Sequence, residues 1–222
     1  MKPINKITVK KLIKTIDVGL VSGLGNPTPG SMCVEAAVCY ALGLPHGDDP
    51  GCVDAAVRAL KIKLNDSDWS SNAARAKGLR KLAVLQLGTK DNFDQKHFVE
   101  SVIKMTVREF VAPLFDAKWP EHAKALREAE TMKQIKNAAN AADAANAAYA
   151  AYTADAAYTA AYAAYAAYAA AAAAYAAADA ARAAADAAAD AARDDVLQRF
   201  ADRVADILIA MNVPSVVYLD LL

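Results

Sequence analysis

The sequence predicts an all-α protein with an N-terminal multi-helix lobe, a long alanine-rich helix or helical hairpin, and a short extended C-terminal tail. Three observations carry this. All nine glycines lie at or before Gly88, and no proline falls between Pro120 and Pro214. Glycine and proline are the strongest breaks a chain can carry. The uninterrupted stretch is dominated by alanine, the best helix former. Where large apolar residues occur, they recur at three- and four-residue spacing rather than alternating.

The first helix is expected to start at Thr8 and to bury Val9, Leu12, Ile13, Ile16 and Leu20. The segment Gly23 to Gly30 is a Gly/Pro-rich loop, and Ser31 to Leu42 reads as a helix closed by Gly43. Leu44 to Asp49 is a second loop. Asp49 then caps a helix that has Pro50 in its first turn and runs to about Lys63. Asn65 to Ser71 is a polar turn holding Trp69. A helix from about Asn72 to Leu87 ends at Gly88. The next, from about Asp94 to Val111, is ended or kinked by Pro113, and Pro120 opens another.

Between Asn137 and Tyr158 every third residue is something other than alanine. Later the spacing mixes threes and fours, which leaves one side of the helix at 158–193 almost wholly alanine. Methyl-sized side chains let two helices approach more closely than usual. The seven tyrosines between 149 and 175 would seal the sides of such a seam. Fold-back near Tyr152–Thr159, or a homo-oligomer built through the Ala/Tyr helix, is expected. From Asp194 an amphipathic helix carries Val196, Leu197, Phe200, Val204, Ile207, Leu208 and Met211, and Pro214 stops it. The apolar tail from Ser215 to Leu222 should dock as an extended segment. The expected division is an N-terminal helical domain, 1–133, and an alanine/tyrosine-rich region with its C-terminal helix and tail, 134–222.

Charge is balanced overall but segregated. Residues 1–136 carry 21 Lys/Arg against 15 Asp/Glu, and residues 137–222 carry 4 against 10. Such asymmetry favours docking of one part on another or steering of a partner. The basic part lacks the dense Lys/Arg clusters with interleaved aromatics of a nucleic-acid binder, so no nucleic-acid partner is expected. Lys14 and Asp17 interrupt the apolar run that a signal peptide needs. No stretch is apolar enough for a membrane span. Three cysteines, Cys33, Cys39 and Cys52, suit reduced thiols and a cytoplasmic setting.

The candidate site is the loop that runs from Gly23 into the helix at Ser31. Unpaired N–H groups and the helix dipole favour an anion or the polar edge of a small ligand there. The candidate set is Gly25, Asn26, Thr28, Gly30, Ser31, Met32, Glu35 and Tyr40, with Thr28 and Ser31 adding hydroxyls. The spacing matches neither the dinucleotide fingerprint nor the P-loop. The simpler alternative is a turn in which Ser31 caps its own helix. Glu35, within the apolar run Val34 to Val38, is expected to face solvent rather than a polar pocket.

Cys33, in the first helical turn, is a candidate nucleophile with His46 or His97 as base and Asp48 or Asp49 orienting it. The alternative is a small core residue, as for Cys39. Cys33, Cys39, His46 and Cys52 form a Cys3His set, but their spacing is unlike a zinc knuckle, so neither metal nor cofactor is expected.

The run Ala-Ala-Tyr at 160–168 with Ala-Ala-Asp-Ala-Ala-Arg at 177–182 resembles a loose group of uncharacterised alanine-rich proteins of bacterial viruses and bacteria. The resemblance covers about residues 137–200. It implies a viral or mobile-element setting, hence host cytoplasm, and helical structure. The functional expectation is a non-enzymatic protein that holds or sequesters a small polar or nucleotide-like ligand, such as a host signalling molecule. The alternatives are a protein-interaction or oligomerisation module and a cysteine-dependent hydrolase.

Overall fold

The computed structural model describes residues 3–91, 93–117, 119–145 and 190–222. The described residues are helical and contain no strand; one isolated antiparallel bridge joins Gly25 and Met32. The tyrosine repeat, its alanine face and the expected fold-back at Tyr152–Thr159 fall outside the described residues, apart from the last few positions of that face. By contacts the chain forms two units, residues 1–93 with 190–222 and residues 94–189. This differs from the expected division at 133. Composition shifts there, but the C-terminal helix finds its apolar partner in the first unit.

In that first unit, α1 spans Lys6–Asp17, α2 Val34–Leu42, α3 Ala55–Asn65 and α4 Asn72–Leu85. Side chains acting as caps set the starts. Asn5, rather than Thr8, caps α1: its Oδ1 accepts from the Thr8 N–H at 3.0 Å. The expected start at Asp49–Pro50 is also corrected. Gly51 turns the chain away with φ at +66°, and Asp54 caps α3 by accepting from Ala56 N–H at 2.8 Å. Asp49 instead accepts from the Gly51 N–H within the preceding turn. Ser71 caps α4.

α1 packs on α2 and α4, and the C-terminal helix, Asp190–Ala210, packs along α4. Val9, Leu12, Ile16, Leu42, Leu60, Leu79, Leu82, Phe200, Val204 and Leu208 fill this core. Trp69 is buried, its indole N–H donating to the Leu64 carbonyl at 2.8 Å. Gly78 lets the indole lie against α4: a Cβ there would sit 2.2 Å from Trp69 Cη2.

The tail docks, but not as an extended segment. Pro214–Leu221 is a 3-10 helix. Ser215 Oγ donates to the Leu85 carbonyl at 2.6 Å, and the Tyr218 hydroxyl donates to the Ile4 carbonyl at 3.1 Å. A tight helix satisfies backbone groups locally, which an extended segment without a strand partner cannot do.

The second unit contains α5 at Gln95–Thr106, then a π turn at Val107–Val111 and a 3-10 turn at Ala112–Phe115. Pro113 cannot donate to the helical ladder, and the chain changes winding around it. α6, Pro120–Glu128, has Pro120 in its first turn as expected, and α7 spans Met132–Ala145. Phe98, Val102, Ile103, Phe115, Leu126 and Ile135 are buried here. In chain order the C-terminal helix of the first unit, Asp190–Ala210, is α8. Among the described residues no helix is long and apolar enough to cross a membrane.

Candidate functional site

The loop before α2 is closed on itself. Gly25 and Met32 pair as an isolated bridge, and Gly25 has φ +68° with a would-be Cβ 2.1 Å from the Ser31 carbonyl oxygen. Asn26 N–H donates to Ser31 O at 2.6 Å, Ser31 N–H to Thr28 O at 2.9 Å, and Cys33 N–H to Leu24 O at 3.2 Å. Glycine at position 25 therefore serves a backbone crossing that no other residue permits.

The start of α2 is satisfied from within as well. Cys33, not Ser31, is the cap, and its Sγ accepts from Ala36 N–H at 3.4 Å. Val34 N–H donates to Asn65 Oδ1 at 3.1 Å. The donors expected to hold an anion are thus engaged by the protein itself. Asn65 also donates from Nδ2 to the Val21 carbonyl and to Asp66 Oδ1, at 2.9 and 2.8 Å. Asp66 in turn accepts from Gly23 N–H at 2.7 Å. The end of α3 is therefore sewn to the loop and to the beginning of α2.

Glu35 does not face solvent. Its side chain is wholly buried, and Oε1 lies 3.0 Å from the ammonium of Lys61, which is also wholly buried. Glu35 sits in the first turn of α2, which α3 covers. Lys61 follows Val57 by one turn and precedes Leu64 by three residues, so it lies on the buried face of α3. Burial raises the Glu35 carboxyl above its ordinary 4.5, with Lys61 and Arg58 opposing the rise. Burial lowers Lys61 below its ordinary 10.5, with Glu35 opposing. Removal from water thus pulls both partners toward their neutral forms, and their mutual attraction resists it.

A cavity of about 60 Å³ opens beside this pair, lined by Gly23, Leu24, Cys33, Val34, Glu35, Asp48, Ile62, Asn65 and Asp66. Among the described residues, three acidic residues and no basic one line it. Both Glu35 oxygens and Lys61 Nζ lack a well-aligned hydrogen bond among the described residues, although Oε1 and Nζ lie 3.0 Å apart as an ion pair. A buried carboxylate oxygen without a donor is costly, and such groups concentrate where a ligand or water supplies one.

Of the expected set, only Glu35 lines this cavity. Gly25, Asn26 and Thr28 are exposed on the outer loop, Gly30 and Ser31 are partly covered, and Met32 is fully buried. Tyr40 belongs elsewhere: its ring and carbonyl meet Lys11, whose ammonium lies 3.9 Å from the ring centroid and 2.6 Å from the oxygen. Lys61, Asn65 and Asp66 are site residues that sequence reasoning missed, while Asp48, expected to orient a base for Cys33, lines the cavity. Lys61 carried a signal, a lysine in register with Val57, Leu60 and Leu64.

Among the described residues nothing activates the thiols. Cys33 and Cys52 are pushed above their ordinary 9.0 by burial, and Cys39 is pushed up to about 12 by burial and then by Glu35. The helix-start effect expected at Cys33 is outweighed because the sulfur is withdrawn from water. His46 Nε2 lies 3.0 Å from the Gly25 carbonyl oxygen, and His97 belongs to the second unit. Among the described residues no three His, Cys, Asp or Glu side chains gather as a metal-ligand group.

No protein-family model, no curated protein and no solved structure matches the chain.

Proposed function

We propose that this chain is a non-enzymatic binding protein that holds the donor-rich, positively charged end of a small polar ligand in the cavity beneath the 23–35 loop. Glu35, which lines the cavity and whose buried carboxylate lacks a well-aligned hydrogen-bond donor among the described residues, is the observation that carries the reading. An ammonium or guanidinium group supplies that donor. Asp48 and Asp66 add negative potential around it, and a low-dielectric wall strengthens the attraction. A cavity of about 60 Å³ suits a head group rather than a whole metabolite, so the rest of the ligand lies toward the loop. The same carboxylates repel phosphate, which moves the ligand away from the anionic class that the loop alone suggests. In the viral setting that the alanine-rich repeat implies, such a protein sequesters a host signalling molecule bearing an amine or amidine group.

Calorimetric titration of the full chain with methylammonium, guanidinium, agmatine, inorganic phosphate and adenosine monophosphate tests this. Saturable heat with the cations, lost in Asp48→Asn and Glu35→Gln, is expected. Asp48 is exposed, so its variant reports on binding even if Glu35→Gln unfolds. Binding of the phosphates alone, or of none of these probes, rejects the reading.

A further inference from the structure

α1 has two working faces, and among the described residues only one of them is packed. Val9, Leu12, Ile13 and Ile16 enter the core. On the other side Ile7, Lys10, Lys11, Lys14 and Val18 follow one another at helical spacing along one wall of a groove of about 550 Å³. Ile7 is 80% exposed and Val18 64% exposed, high values for β-branched residues at a helix surface. Pro29 and Tyr40 form the opposing wall. The loop comes close to the helix here because Gly30 has no side chain: a Cβ would stand 2.9 Å from Val18 Cγ1.

The groove's charge is of one sign. Its lining has three lysines and no carboxylate. Lys10 and Lys14 make no ion pair or hydrogen bond among the described residues, whereas Lys6 is committed to Asp220 at 3.1 Å and Asp17 to Arg80 at 2.8 Å. Asp17 of α1 and Asp220 of the tail are thus engaged with Arg80 and Lys6, and the groove keeps its positive field.

We propose that this groove is a docking site for an acidic amphipathic helix of a partner protein. From Ile7 to Val18 the wall runs about 16 Å, three turns of helix at ~1.5 Å per residue. That length matches the recognition of one helix face by apolar anchors at three- and four-residue spacing. Ile7 and Val18 supply the apolar ends, and the Tyr40 ring, held under the Lys11 ammonium, supplies a rigid anchor. Glutamates or aspartates on the partner meet Lys10 and Lys14, fixing its direction. A flat anionic membrane does not reach the floor of a groove walled by Pro29 and Tyr40, so the concave shape favours a helix.

Fluorescence anisotropy with the full chain tests the assignment. The probe is a dye-labelled helix of about 18 residues, above the length at which isolated helices begin to hold, with leucines on one face and glutamates elsewhere. Its control has the same leucines with lysines elsewhere. The acidic helix is expected to bind and the basic one not, and affinity should fall about tenfold in K10E/K14E and again at high salt. Both lysines and Ile7 are exposed, so Ile7→Asp serves as a second variant that leaves the fold intact, as circular dichroism verifies. Equal binding of the two helices, or no binding of the acidic one, overturns the proposal. So does co-sedimentation with phosphatidylserine vesicles, or self-association of the chain, that K10E/K14E abolishes while acidic-helix binding persists.

Discussion

Lys61 Nζ lies 3.0 Å from Glu35 Oε1, and both side chains are buried. The pair joins α3 to the first turn of α2 inside an apolar core. Removing one member leaves the other charge buried without a partner. Glu35→Leu and Lys61→Met should each cost about 3–5 kcal/mol of stability. The double variant E35L/K61M replaces both charges with apolar atoms and should lose far less, or gain. Urea unfolding followed by circular dichroism measures the three. Losses that simply add would show that the two side chains do not act as a unit.

The pair also sets a pH dependence. Glu35 is raised, so above 4.5 the unfolded chain gives up a proton that the folded chain tends to keep, and stability falls as pH rises from there through the folded value. Lys61 is lowered, so between its folded value and 10.5 the unfolded chain holds a proton the folded chain lacks, and stability rises with pH across that window. Relative to E35L/K61M, the parent should therefore lose stability as pH rises above 4.5 and regain it as pH climbs toward 10.5. Denaturant midpoints of both proteins, measured across pH, supply the difference. A difference that does not vary with pH contradicts the assignment.

Asn65 holds the site's walls together through Val34 N–H at 3.1 Å and the Val21 carbonyl at 2.9 Å. Asn65→Leu keeps the volume and strands those groups, at about 1–3 kcal/mol for each that stays dry. Hydrogen exchange should speed up at Val34 and through the 21–34 loop while α8 keeps its protection. Uniformly faster exchange across the first unit would mean that Asn65 supports the whole core instead.

Gly78 lies within α4, where alanine is intrinsically better by about 1 kcal/mol. The Trp69 ring nevertheless occupies the space a Cβ needs, 2.2 Å from Cη2. Overpacking of this kind costs about 1–3 kcal/mol. Gly78→Ala should thus be net destabilising and should shift Trp69 emission to longer wavelength, read in a Trp119→Phe background. A more stable protein with unchanged emission would show that the indole moves aside freely.

Helix content is readable because it is local. The glycine and proline positions and the three- and four-residue apolar spacing announce α1, α2, α4 and α6 within a few residues. Starts are less readable. Asn5, Cys33 and Asp54 cap where Thr8, Ser31 and Asp49 are expected, because several adjacent residues have capping side chains and the choice depends on which turn the loop before it permits. The tail announces its docking through Val216, Val217 and Leu219, but not its 3-10 winding.

The candidate site divides in the same way. The sequence points to the 23–35 loop and to Glu35, since a carboxylate in an apolar run is conspicuous. It does not decide between solvent and interior, because that depends on what covers the helix face. Lys61 lies on a different helix, beyond two loops, and is visible as Glu35's partner only once α2 and α3 lie side by side.

By itself, then, the sequence determined the helical character of the described residues and a Gly/Pro-rich loop ahead of α2, because propensity, caps and breakers act over a few residues. Only the tertiary structure decided that the loop's own backbone uses the N–H groups meant for a ligand, that α8 returns to α4, and that Glu35 and Lys61 meet inside the core. Those outcomes rest on burial and on pairing between distant segments, and neither is written in local spacing.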